Sequence, residues 1–266
     1  MPVEILADIF RKRLNAIAPA AALQEVVEGY YRYTCDETVQ ELWATLDGHP
    51  VLLFLLDPPY SIEFTGAHTA TLDDAFFCCY GLLHTYIRPW ENGMRLLVVK
   101  FSCNGLYRLL QQPLAAVATT PLVSIATIWG EAGIQLAKQL RDAEIPQEQT
   151  ALLDTFLLSR LPACKEAAYL VQAAVAHIRE HKGQLSVQDL CLQLKVNYKW
   201  LERNFRKQLG ITPKTYISTI RFLHAYLNTG KREENHTRVA LEHGYYDQNH
   251  FIKEFRKHTG KTPSLT

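Results

Sequence analysis

The stretch N-Y-K-W-L-E-R-N-F-R-K-Q-L-G-I-T-P, Asn197 to Pro213, is answered fifty positions later by D-Q-N-H-F-I-K-E-F-R-K-H-T-G-K-T-P, Asp247 to Pro263. Phe-Arg-Lys, a glycine and Thr-Pro fall in identical places in both. Each stretch reads as a short helix with marked ends. The side-chain oxygens of Asn197 and Asp247 suit the capping of a first turn, and Gly210 and Gly260 stand where a helix stops. Leu201 and Phe205 lie four apart and face inward, as do Phe251 and Phe255. That leaves Lys199, Glu202, Arg203 and Arg206 outward in the first stretch, and Gln248, Asn249, Lys253 and Arg256 outward in the second.

The flanking residues complete two copies of one unit. The apolar run A-A-Y-L-V-Q-A-A-V-A-H-I-R-E-H stops at Gly183, and Ser186 opens S-V-Q-D-L-C-L-Q-L with Asp189 three residues on, the spacing of a capping box. Thr212 and Pro213 cap and start a further helix, T-P-K-T-Y-I-S-T-I-R-F-L-H-A-Y-L, and R-V-A-L-E-H closes at Gly244 before the second stretch. Each unit is therefore a helix, a tight turn and a second helix with a basic and amide-bearing face. Such a face suits the major groove, where Arg and Lys reach guanine O6 and N7 and Asn and Gln pair with adenine. The helix from Pro213 to Leu227 is roughly 22 Å long at 1.5 Å per residue. With helix diameters of about 10 Å, it can hold two reading helices about 34 Å apart, one turn of B-DNA.

Charge separates the chain in the same sense. The 266 residues carry a net charge of only +1. Up to Cys164, however, 11 Lys and Arg face 18 Asp and Glu, whereas beyond it 17 face 9. An acidic half of −7 joined to a basic half of +8 is the asymmetry expected when one half meets a polyanion. Hydrophobic residues make up 48% of the chain, enough for two cores and against disorder. The six cysteines form no C-x-x-C pair and read as small buried groups in a reducing cytoplasm. Arg11, Lys12 and Arg13 interrupt any signal peptide, and no stretch has the roughly 18 apolar residues of a membrane span, so a soluble, cytoplasmic protein is expected.

The first half has a different texture. Residues 1 to about 20 read as a short amphipathic helix or an arm. From Val26 to Phe101, β-branched and aromatic runs alternate with Asp-Gly, Asp-Pro-Pro and Glu-Asn-Gly, which predicts a small antiparallel barrel or sandwich. After Asn104 the pattern turns helical through G-L-Y-R-L-L-Q-Q-P, W-G-E-A-G-I-Q-L-A-K-Q-L-R-D-A-E-I-P and E-Q-T-A-L-L-D-T-F-L-L-S-R-L-P, each closed by proline. A boundary near Pro162 divides 1–164 from 165–266. A small barrel can take a ligand at its mouth, and Tyr60, Phe64, Tyr80, His84, Tyr86 and Trp90 are candidates to line it, although aromatics also simply fill a narrow barrel. His49, His68 and His84 form no His-x-His pair, and no phosphate loop or Ser/His/Asp signature appears, so no metal, no cofactor and no enzymatic activity are expected. Adjacent Cys78 and Cys79 would point to opposite faces of a strand, making them poor joint ligands.

Residues 183 to 265 resemble the DNA-binding domain of the AraC/XylS family of bacterial transcription regulators. The likeness rests on Tyr216, Arg221, Phe222 and Ala225, on V-A-L-E-H-G-Y from Val239, and on the string A-x-x-x-G-[FY]-x-[DS]-x-x-x-F-x-x-x-F-[KR], which stands in full from Ala240 to Arg256. Asn228 and Thr229 replace the family's paired leucines, and Cys191 replaces a small alanine. The resemblance implies an α+β chain: a small cupin-like antiparallel β-barrel with following helices, then an all-α domain of two helix-turn-helix units on a linker helix. It implies base contacts at Lys199, Glu202, Arg203, Gln248, Asn249 and Lys253. Asn197, Arg206, Lys207, Asp247, Arg256 and Lys257 fall to phosphate contact and positioning. The expected partner is double-stranded DNA, with a small-molecule effector, RNA polymerase and a second copy of the chain as further candidates. Two alternatives stay open: a ligand-binding or metal-dependent barrel with the DNA domain secondary, and a regulator whose barrel only dimerises.

Overall fold

The computed structural model describes residues 17–34, 42–44, 49–57, 62–66, 70–72, 74–79, 85–88, 93–117, 120, 122–162, 169–229 and 236–263. The nine described strands are β1 (Val27–Thr34), β2 (Leu42–Ala44), β3 (Val51–Leu55), β4 (Ile62–Gly66), β5 (Ala70–Leu72), β6 (Ala75–Cys78), β7 (Thr85–Arg88), β8 (Arg95–Phe101) and β9 (Leu122–Ser124). They form two antiparallel sheets, a five-stranded one in the order β1-β8-β3-β6-β9 and a four-stranded one in the order β2-β7-β4-β5. Among the described residues, the barrel expected from the sequence is not closed. The outer edge of β6 is occupied by β9, a strand that arrives from beyond the first helices and pairs Phe77 with Val123. β3, V-L-L-F-L, is buried at every position because it lies between β8 and β6 and is covered on both faces.

Helices then pack on the larger sheet. α1 (Gly105–Leu110) follows β8 directly, α2 (Leu114–Val117) comes next, and α3 (Ile125–Asp142) and α4 (Pro146–Leu158) form a pair after β9. α3 is broken at Gly130, whose φ of 56° and ψ of −143° are not helical. Leu136, Ala137 and Leu140 of α3 and Leu153 and Leu157 of α4 join Leu52, Phe54, Phe77, Val99 and Phe101 in one core. Full burial of each such leucine contributes about 1.5–3 kcal/mol. The Tyr30 hydroxyl donates to Asp154 at 2.7 Å and ties β1 to α4. The aromatics Phe54, Phe76, Phe77 and Phe101 are buried to within 1% and so fill the interior rather than line an opening. None of the described helices is long and apolar enough to cross a membrane.

The remaining described elements are helices: α5 (Tyr169–Glu180), α6 (Val187–Leu194), α7 (Tyr198–Leu209), α8 (Pro213–Thr229), α9 (His236–Glu242) and α10 (Gln248–Thr259). Two small cores share α8. Tyr216, Ile217 and Ile220 pack with Val171, Ala174 and Ile178 of α5, Leu190 of α6, and Leu201 and Phe205 of α7. Farther along, Ala225 packs with Val239 and Ala240 of α9 and Phe251 of α10. With 17 residues, α8 is a rod of about 26 Å carrying one unit at each end. It runs past Leu227 through Asn228 to Thr229.

Gly183 is required where α5 turns into α6. Its φ is +70°, and a Cβ there would lie 2.6 Å from the Arg221 nitrogen and from the Ile217 oxygen of α8. Only glycine permits that backbone approach, which is sealed by Arg221 Nε donating to the Gly183 carbonyl at 2.9 Å.

Candidate nucleic-acid interface

Local chemistry sets the ends of both α7 and α10. The Asn197 side chain accepts from the Trp200 amide at 2.8 Å, and Asp247 accepts from the His250 amide at 2.7 Å. Gly210 and Gly260 end the helices in the left-handed conformation, with φ of 77° and 71°. α6, the helix before α7 in the first unit, starts with a complete capping box between Ser186 and Asp189. Asn197 and Asp247, expected as positioning residues, thus hold the first turn of each helix directly.

Burial sorts the remaining residues as their spacing requires. Leu201, Phe205 and Phe251 are fully buried, while Phe255 is half-buried against the second core. On the opposite faces, Lys199 and Arg203 of α7 and Asn249 and Lys253 of α10 are exposed. Glu202 and Gln248 are half-buried and already engaged. Glu202 accepts from Arg206 at 3.2 Å within α7, and Gln248 Oε1 accepts from the Thr237 hydroxyl at 2.9 Å. Arg256 is exposed near the end of α10. Trp200 packs on the first core, and His250 stands edge-on to Tyr245 at 5.4 Å.

Lys257, exposed like Arg256, lies at the rim of a cleft. Its Nζ lies 3.0 Å from Glu254, which also accepts from the Ser218 hydroxyl of α8. Burial alone would raise the Glu254 carboxyl, but hydrogen bonds from His258, Ser218 and Lys257 outweigh it and hold the group well below the usual carboxylate range. The cleft, of about 420 Å³, lies between α6, α8 and α10 and is rimmed by Lys214, Arg221, His250, Glu254 and Lys257.

α7 is also held from the other half of the chain. Asn104, fully buried at the start of α1, donates from Nδ2 to Gln208 Oε1 of α7 at 3.0 Å and accepts from Gln172 Nε2 of α5 at 3.0 Å. Cys103 lies in the core of the first unit, Leu114 of α2 approaches Gly210, and Lys207 Nζ stands 5.7 Å from the centre of the Tyr107 ring. Beside these contacts, Glu28 bridges His49 and Lys100, each at 2.8 Å. Burial would raise the Glu28 carboxyl, but the His49 hydrogen bond and the charges of His49 and Lys100 hold it at about 2. Burial pushes His49 below its ordinary value in spite of Glu28. The contacts of Asn104, Leu114 and Tyr107 gather at the Gln208 end of α7, while Lys199 and Arg203 are exposed. Among the described residues, the first half therefore does not cover Lys199 or Arg203.

Of the residues considered for an effector, Tyr60, Tyr80, His84 and Trp90 lie outside the described residues, as does His68. Phe64 and Tyr86 sit on the paired strands β4 and β7, one register step apart, since Phe64 pairs with Ile87 and Thr65 with Tyr86. Cys78 and Cys79 are both fully buried, more than a strand surface would make them, and burial raises both thiols, Cys79 to about 12. Sequence reasoning missed Asn104, Gln172 and Gln208. Each is an ordinary polar residue in its own element, and only the packing of distant segments reveals its role.

Known proteins match this half of the chain. A helix-turn-helix domain family covers residues 170–266. Similar proteins include the HTH-type transcriptional activator RhaS of Klebsiella pneumoniae, 27% identical over 90 residues, which are 34% of this chain and 32% of that protein. RhaS of Pectobacterium atrosepticum is 30% identical over 94 residues, 35% of this chain and 34% of that one. RhaR of Salmonella dublin is 26% identical over 104 residues, 39% and 37% of the two chains. The chain thus matches about a third of the length of these relatives. Among solved structures, ToxT from Vibrio cholerae O395 aligns over 91% of this chain and 96% of its own, at 10% identity and a TM-score of 0.47. Residues 170–266 carry a helix-turn-helix domain of the AraC type.

Proposed function

We propose that this chain is a sequence-specific DNA-binding transcription regulator, cytoplasmic and without catalytic activity, in which residues 165–266 read DNA and residues 1–164 regulate the reading. The observation that carries the proposal is the repeated unit itself. Two capped helices of equal length stand on one rod, each with an apolar face buried and Lys, Arg or Asn exposed opposite. In this reading Lys199, Glu202 and Arg203 meet bases in one major groove and Gln248, Asn249 and Lys253 in the next. Arg206, Lys207 and Arg256 supply backbone attraction, which is sequence-independent and salt-dependent. Lys257 contributes to the field while bound to Glu254.

Regulation runs through the contact at Asn104 rather than by covering the reading face. A change in the N-terminal half, whether from a small-molecule effector, a second copy of the chain or RNA polymerase, would shift α1 and with it the Gln208 end of α7 and the Gln172 turn of α5. The test is selection of bound sequences from a random DNA pool by the purified full chain. Enrichment of two short blocks about 10 base pairs apart supports the two-groove reader. Enrichment of a single block would show that only one unit reads, and no enrichment from the full chain would contradict the proposal.

A further inference from the structure

The last turn of α5 carries a group of side chains that DNA reading does not use. His177 and His181 are one helical turn apart, with ring centroids 4.2 Å from each other, and Glu180 stands beside them. A ring nitrogen from each histidine and a carboxylate oxygen of Glu180 all lie within 4.8 Å of one another. His177 is half-buried, while Glu180 and His181 are exposed, so the group opens to solvent on one side.

One ring nitrogen of His181 is already engaged by the backbone. Its Nδ1 donates to the His177 carbonyl at 2.9 Å, which fixes the tautomer and leaves the Nε2 lone pair available. Metal-bound histidines characteristically use their second nitrogen in this way, giving the other ring nitrogen to a carbonyl or carboxylate. Two histidines four apart on a helix face are a recurrent zinc-binding spacing. Bonds of about 2.0–2.2 Å to a tetrahedral ion would bring the ligand atoms to about 3.3–3.5 Å from one another. The two exposed side chains can make that adjustment by rotating about their own χ angles.

We propose that His177, Glu180 and His181 bind a transition-metal dication, Zn²⁺ or Cu²⁺, through two imidazole nitrogens and one carboxylate oxygen, with the remaining positions open to water. The donor set selects this class of ion. Imidazole suits zinc and copper, whereas calcium and magnesium require mostly oxygen ligands. The consequence is mechanical. α5 ends at Glu180, and His181 lies in the turn that leads through Lys182 and Gly183, both at positive φ, to the first unit. An ion held by His177 and His181 braces that turn, on the same helix whose Gln172 meets Asn104.

The experiment is titration of the untagged full chain with ZnCl₂ and with CuCl₂ by calorimetry, alongside His181→Gln and His177→Gln, with electron paramagnetic resonance of the Cu²⁺ complex. The expected result is one equivalent bound, a rise in Tm on loading, and affinity lower by about tenfold or more in each variant. The copper spectrum should show two coupled nitrogens, falling to one in His181→Gln. Binding that is unchanged in His181→Gln, whose side chain is exposed and whose folding circular dichroism can confirm, would overturn the proposal and place the ion elsewhere. No saturable binding by the full chain would overturn it as well.

Discussion

Replacing Asn104 by alanine tests how firmly the two halves of the chain are joined. The side chain is fully buried and serves two partners from the other half, donating to Gln208 and accepting from Gln172, each at 3.0 Å. A hydrogen bond of this kind contributes about 1 kcal/mol net, and a buried group that loses its bond without water to replace it costs about 1–3 kcal/mol. With two bonds removed, Asn104→Ala should destabilise the folded chain by about 2–4 kcal/mol. Urea unfolding of the full chain, followed by tryptophan fluorescence, measures the loss, since Trp200 lies beside the first core and Trp129 reports on the sheet side. A double-mutant cycle with Gln208→Ala isolates the bond itself and should return a coupling of about 1 kcal/mol. A loss below about 0.5 kcal/mol, or strict additivity of the two substitutions, would refute the reasoning that Asn104 is a joint between the halves.

Acid should weaken the same region. Glu28 and His49 both have folded pKa values below their ordinary ones, so the unfolded chain binds more protons and stability falls as pH falls. The His49 contribution is lost first, on acidification below its ordinary 6.5, and the Glu28 contribution between about 4.5 and about 2. Glu28→Gln should flatten the lower limb of stability against pH, read as the urea midpoint at each pH, and an unchanged limb would contradict the assignment. Gly183→Ala should be more damaging than Gly210→Ala. Both residues have positive φ, worth about 1 kcal/mol in strain, but only at Gly183 does the added Cβ strike backbone, 2.6 Å from α8, whereas at Gly210 it meets Leu114 at 3.7 Å. Equal Tm losses in the two variants would show that the turn at Gly183 can move away from α8.

What the sequence makes legible follows from the range of the interactions concerned. Caps at Ser186, Asn197 and Asp247 and stops at Gly210 and Gly260 depend on residues within one turn, and each stands where its spacing places it. The burial of Leu201, Phe205 and Phe251 follows from helical periodicity in the same way. β9 is different. Its three residues have no alternation of their own, and the strand exists because the distant edge of β6 supplies its hydrogen bonds. Among the described residues the strands form two separate sheets, the sandwich rather than the closed barrel of the two forms that strand spacing allowed. The contact at Asn104 is illegible for a related reason, as its two partners lie 68 and 104 positions away. The charge split says nothing of how the halves touch, whereas Asn104 meets Gln208 of α7 and Gln172 of α5 through neutral amide groups.

The central claim, that exposed side chains on α7 and α10 read bases, is tested most directly by comparing Arg203→Ala with Arg256→Ala on a selected operator and on its single-base variants. If Arg203 is bidentate to a guanine, its loss should cost about 1–3 kcal/mol on the operator and abolish discrimination at one base pair. Arg256→Ala should instead weaken all the sequences alike and reduce the slope of log K against log salt by about one. Indistinguishable behaviour of the two variants would contradict the account and move the reading face elsewhere on the domain.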